Sequence, residues 1–162
     1  MQPVLKINLS THEVTRYIIP VDWARSYIGG ASLAARILYD EFVAQVTPCS
    51  PQASLLFLNG PLTGTAASSA GRSVICGRSP ATGLWGESNI GGFWGTELRQ
   101  AGFDGLWLTG VAEKPVYIAI LDDCVEIRDA GKLWGLETYA AQEYLISELS
   151  PAHTRVAVIG PA

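Results

Sequence analysis

The chain has 162 residues, of which 48% are hydrophobic and only 16% charged, and its net charge is −4. That length is enough for one domain with a real core, and so low a charged fraction asks for a partner surface or a large cofactor. The acidic balance without a basic stripe argues against nucleic acid, and no apolar run reaches the roughly 18 residues that a membrane helix needs. The first residues, Met1 to Ser10, contain no signal-peptide core. Cys49, Cys76 and Cys124 are odd in number and far apart, without Cys-x-x-Cys spacing. They form neither a disulfide framework nor a recognisable cluster site, so a reducing cytoplasm is expected.

In chain order, Val4 to Leu9 reads as a strand, a turn follows at Ser10 to Glu13, and Val14 to Ile19 reads as a second strand. Asp22-Trp23 opens a helical stretch expected to run to about Phe42. Leu55 to Leu58 is a buried strand that ends in Asn59-Gly60-Pro61. Ser73 to Cys76 is a short strand, Phe93 to Ala101 a short helix with Gly102 as its stop signal, and Leu106 to Leu108 another strand. Val116 to Leu121 and Val125 to Arg128 form a further pair around Asp122-Asp123. Leu133-Trp134-Gly135 then leads into a helix, Thr138 to Leu149, and Arg155 to Ile159 is expected to be a strand that ends in Gly160-Pro161. Strand, turn, strand, Trp, helix, strand and Gly-Pro thus occur twice, which predicts an internal repeat over about residues 1–64 and 114–162. Strand pairs with tight turns favour antiparallel pairing and an α+β fold.

The stretch most informative about function is Asn59 to Gly95, with nine glycines in 37 residues. Glycine weakens element interiors by about 0.5–1 kcal/mol relative to alanine. So many of them imply positive φ angles or a backbone brought close to something. A flat, phosphate-bearing ligand is one such thing, and a tight sheet corner is the other. Asn89-Ile90-Gly91-Gly92 is expected to run straight into the helix at Phe93, where free N–H groups attract anions. Asn89 can cap that helix, or it can hold a hard cation such as Mg²⁺ through oxygen. The spacing is neither the dinucleotide fingerprint nor a Walker A motif. Arg72, set among small residues, either is solvated at a strand end or points its planar fork into a site. Arg78 reads as a solvated loop residue. His12 and His153 read as surface residues, and no catalytic constellation is visible.

An ordered series of short motifs then becomes informative as a set. It runs through Leu58-Asn59-Gly60-Pro61-Leu62-Thr63-Gly64-Thr65, Gly71-Arg72, Ser88-Asn89 with Gly91-Gly92-Phe93, and Ala101-Gly102-Phe103-Asp104-Gly105. It continues through Glu113-Lys114-Pro115, Leu133-Trp134-Gly135 and Val158-Ile159-Gly160-Pro161-Ala162. This series resembles the N-terminal domain of the aldehyde:ferredoxin oxidoreductases over essentially the whole chain, residues 1–162.

The resemblance implies β-sheets that form the base for a tungsten- or molybdenum-bis-pterin cofactor, with Mg²⁺ bridging the pterin phosphates. It marks Arg72, Asn89, Ile90, Gly91 and Gly92 as cofactor-binding. Asn89 would ligate Mg²⁺ through its main-chain oxygen, and Arg72 would lie between pterin and a [4Fe–4S] cluster. It further implies oxidation of aldehydes to carboxylic acids, with electrons passing through that cluster to ferredoxin or an iron-sulfur subunit. The cluster ligands would lie in C-terminal domains, Ala162 would fall just before a second glycine-rich loop, and this chain alone would be inactive. A homo-oligomer is compatible with this reading. The chain departs from the family pattern where Gly29-Gly30 is followed by Ala31-Ser32 and where Gly71-Arg72 is followed by Ser73-Val74. The alternative left open by the residues is a stand-alone pterin- or phosphate-binding or assembly module without catalysis.

Overall fold

Alternating apolar positions pair Val4–Asn8 (β1) with Glu13–Tyr17 (β2) in an antiparallel hairpin. The turn is tied by Asn8, whose Oδ1 accepts from the backbone N–H of Ser10 at 2.9 Å, and by His12 in the left-handed region at φ 58°. This computed structural model describes residues 1–43, 45–149 and 154–161.

Four more strands complete one sheet: Leu55–Asn59 (β3), Ser73–Arg78 (β4), Trp85–Ile90 (β5) and Gly105–Thr109 (β6). The strand order is β2-β1-β6-β3-β4-β5. The β1–β6 pair is parallel and the other neighbours are antiparallel. Helices α1 (Val21–Tyr27) and α2 (Gly30–Asp40) belong to one face of this sheet. There Leu33, Ala34 and Ile37 meet Val4, Leu56, Leu58, Val74, Cys76 and Trp107. On the other face, Leu5, Ile7 and Leu106 meet Leu98 of helix α3 (Trp94–Gln100) and Phe103. Ile118 and Ile127 pack on that second core from a separate hairpin, β7 (Val116–Leu121) with β8 (Cys124–Asp129). Helix α4 (Thr138–Leu149) follows. The fold is the α+β arrangement expected from the sequence.

Three elements differ from expectation. The helix expected over Asp22–Phe42 is two helices, because Ile28 (φ 64°) and Gly29 (φ 152°) break it. The break lets the Gly29 backbone close on the end of β3, where a Cβ would stand 3.1 Å from the Asn59 carbonyl oxygen. The segment expected to run straight into α3 contains β5, an edge strand whose Gly, Glu, Ser and Asn residues have low strand propensity and are held by the ladder to β4. The strand expected at Arg155–Ile159 is not formed: residues 154–159 carry no ladder, and β7–β8 is a two-stranded sheet.

Cys76 is fully buried, and its burial, with the Glu87 charge as the smaller cause, pushes the thiol up to about 12. Cys49 and Cys124 are exposed. The folded chain should therefore react with a thiol reagent at Cys49 and Cys124 and at Cys76 only on unfolding. Rapid labelling of Cys76 in the folded chain would contradict this packing.

Candidate functional site

β4 begins immediately after Gly71-Arg72, and β5 ends immediately before Gly91-Gly92. Their antiparallel register pairs Ser73 with Ile90 and Val74 with Asn89. That register sets Arg72 beside Gly91 at one end of the ladder. The two stretches touch, since a Cβ on Gly71 would lie 2.6 Å from the carbonyl oxygen of Gly92. Arg72, Asn89, Ile90, Gly91 and Gly92 are thus brought to one place. Ile90 is half-buried and the other four are exposed. Successive residues of a strand face opposite sides, so Asn89 and Ile90 lie on different faces of the sheet.

Asn89 does not cap a helix. It sits inside β5, and α3 starts at Trp94 behind Phe93, with no side-chain bond at its cap. Nor is Arg78 a solvated loop residue. It ends β4 at the far end of the ladder, where it donates from Nε to the Gly83 carbonyl at 3.2 Å and also to the Val46 carbonyl. His12 is exposed, and His153 lies outside the described residues. Among the described residues no group of three His, Cys, Asp or Glu side chains is placed to hold a metal.

Behind Arg72 and Gly91-Gly92 lies a buried polar cluster to which sequence reasoning gave no role. Asn59, Ser73 and Thr63 are 0%, 2% and 3% exposed. Ser73 Oγ donates to Asn59 Oδ1 at 2.6 Å, and Asn59 Nδ2 donates to the Gly95 carbonyl at 2.9 Å. Thr63 Oγ1 donates to the Arg72 carbonyl at 2.6 Å and accepts from the Gly60 N–H at 3.1 Å. Every buried polar side chain in this cluster is therefore partnered, as burial requires. The available signal was the polar pair Asn59 and Thr63 around Gly60-Pro61, which reads locally as turn chemistry.

The glycines separate into those the chain itself explains and one it does not. Gly71, Gly95 and Gly105 leave no room for a Cβ, and Gly64, Gly83 and Gly92 take positive φ. Much of the glycine-rich stretch is therefore ordinary close packing and turning. Gly91 alone among the 17 glycines has neither a positive φ between 20° and 160° nor any atom of the described residues within 4 Å of where a Cβ would stand. A cleft of about 520 Å³ opens beside it, lined by Ile75, Ile90, Phe93 and Trp94 and by α4.

A family model described as the aldehyde ferredoxin oxidoreductase N-terminal domain matches residues 4–162. The chain belongs to this family. The tungsten-containing aldehyde ferredoxin oxidoreductase of Pyrococcus horikoshii is 38% identical to it over 159 residues, which is 98% of this chain and 26% of that protein. The WOR-like subunit of an aliphatic sulfonate oxidoreductase of Pyrococcus furiosus is 33% identical over 149 residues, covering 90% of this chain and 24% of that protein. Among solved structures, the active-site complex BamBC of benzoyl coenzyme A reductase with 1,5-dienoyl-CoA matches with a TM-score of 0.95 and 36% identity. That match covers 98% of this chain and 24% of that one. An aldehyde ferredoxin oxidoreductase N-terminal domain is thus one part of larger oxidoreductases, and the chain spans about a quarter of the length of these relatives. No described helix is long and apolar enough to cross a membrane.

Proposed function

We propose that this domain forms one wall of the seat for a tungsten- or molybdenum-bis-pterin cofactor in an enzyme that oxidises aldehydes to carboxylic acids. Gly91 carries the reading. Nothing among the described residues requires a glycine there, so its bare backbone serves close approach by a group from outside. Arg72, exposed and next to it, offers a planar fork of N–H donors suited to phosphate or to a carbonyl-rich heterocycle. β5 is an edge strand, so alternate main-chain groups along it point away from β4. A main-chain oxygen of Asn89 as a Mg²⁺ ligand, with Ile90 and Gly92 completing the wall, accords with that edge. These residues fit a flat, anionic, oxygen-rich group.

When bound, the metal-pterin supplies the two-electron redox chemistry by which an aldehyde and water become a carboxylic acid and two protons. This chain's residues bind and orient that group and keep water from its face. The further domains of the enzyme would complete the site and hold a [4Fe–4S] cluster that passes the electrons to ferredoxin or an iron-sulfur subunit. On this reading the 162-residue chain alone oxidises no aldehyde, and the assembled enzyme works in the cytoplasm.

The test uses the full-length polypeptide. Gly91→Val is expected to keep the thermal transition of the parent, because Gly91 is exposed and its new Cβ meets no atom of the described residues within 4 Å, while most of the bound tungsten or molybdenum and pterin is lost. Arg72→Ala is expected to lower cofactor content or the rate of electron delivery to the acceptor more than it lowers stability. Full metal and pterin content in Gly91→Val, together with parental rates in Arg72→Ala, would sink the proposal.

A further inference from the structure

The buried cluster behind the wall has a geometry that does more than fill space. Thr63 Oγ1 spends its one proton on the Arg72 carbonyl at 2.6 Å and receives the Gly60 N–H at 3.1 Å. With donor and acceptor both engaged and the residue 3% exposed, the hydroxyl cannot turn to another partner. The peptide after Arg72 is therefore fixed from behind by a side chain that never reaches the surface. One residue further on, Ser73 is tied through Asn59 to the Gly95 carbonyl in the first turn of α3. Gly91-Gly92 feeds that same turn. The two stretches meet where Gly71 packs on the Gly92 carbonyl oxygen.

We infer that Thr63 is a positioning residue: through the Arg72 carbonyl it sets the height of Arg72 against Gly91-Gly92, and so the gap into which the cofactor's anionic edge fits. The inference rests on the seat proposed above. Groups that orient a ligand's immediate contacts typically change retention or activity by about 10–100-fold when removed. Thr63→Val keeps the shape of the side chain and removes both hydrogen bonds, whereas Thr63→Ser keeps the hydroxyl.

Each variant is made in the full-length enzyme, and tungsten or molybdenum and pterin are quantified per polypeptide after gel filtration, well below the thermal transition of that variant. Thr63→Val is expected to retain about tenfold less cofactor, and Thr63→Ser to restore most of it. Unchanged retention in Thr63→Val, or an equal loss in Thr63→Val and Thr63→Ser, overturns the inference. If Thr63→Val does not accumulate as folded protein, Thr63→Ala replaces it, since it removes the same two hydrogen bonds and sets no methyl group against the Arg72 carbonyl. Lowered retention at a transition temperature close to the parent is then the expected result, and parental retention overturns the inference. Gly91→Val measured alongside separates the two ideas. Loss in Gly91→Val without loss in Thr63→Val refutes the positioning role alone, and loss in neither refutes the seat.

Discussion

Replacing Gly95 with alanine is expected to destabilise the fold by about 3 kcal/mol or more, although the change adds one methyl group to a helix. In an exposed helix the same substitution would stabilise by about 1 kcal/mol. Here the new Cβ would lie 1.9 Å from Ser73 Oγ, 2.6 Å from Asn59 Oδ1 and 3.1 Å from Thr63 Cγ2. None of these atoms is a loose end. Ser73 Oγ is bonded to Asn59 Oδ1, and the Asn59 amide is bonded back to the Gly95 carbonyl. Turning Ser73 away would leave a buried oxygen without its donor, at about 1–3 kcal/mol. Moving α3 outward would instead open the core between Leu98, Phe103 and Leu106. Guanidinium unfolding of the chain measures the loss, with Gly91→Ala as the control, expected within about 0.5 kcal/mol of the parent. A Gly95→Ala chain as stable as the parent would mean that the cluster yields, and the rigid support argued for Arg72 would go with it.

The contrast between Gly95 and Gly91 also shows what the residues alone could reveal. Most strands were legible because Val, Ile and Leu recur along them: β1, β2, β3, β7 and β8 each present apolar residues to a core. β5 was not, since Gly86, Glu87, Ser88 and Asn89 have no apolar alternation and the strand exists through its ladder with β4. With no strand signal over residues 85–90, Asn89 stands just ahead of the α3 start and looks locally like a helix cap. The break at Ile28-Gly29 was hidden for a similar reason, because its cause is contact with the Asn59 carbonyl 30 residues away along the chain. Arg72 and Gly91-Gly92 could be marked in advance, since an arginine or paired glycines in an odd setting are visible locally. Asn59, Thr63 and Ser73 could not, because small polar residues beside Gly-Pro read as a turn until long-range packing buries them.

The same corner carries the second large effect, at the ion pair of Arg99 and Asp104. Arg99 donates from Nε to Asp104 Oδ1 at 2.7 Å, and its NH2 nitrogen lies 2.5 Å from that oxygen. The other carboxylate oxygen accepts the Gln2 N–H at 2.7 Å. The guanidinium also donates to the Pro61 and Gly60 carbonyls at 2.9 and 3.0 Å. One pair thus ties the chain start, the β3–β4 loop, α3 and the approach to β6. The Asp104 side chain is 2% exposed and that of Arg99 17%, so Asp104→Ala strands a mostly buried cation and frees the Gln2 N–H. Breaking a buried pair from one side costs about 3–5 kcal/mol, and the partial exposure of Arg99 places the expected loss near the lower end. Arg99→Met with Asp104→Leu removes both charges together and is expected to recover part of that loss. The recovery should be incomplete, because Arg99→Met also deprives the Gly60 and Pro61 carbonyls of their donor. Denaturant midpoints of the single and double variants decide between the two contributions. A double variant no more stable than Asp104→Ala would assign the corner's stability to the carbonyl contacts of Arg99 rather than to its pairing with Asp104.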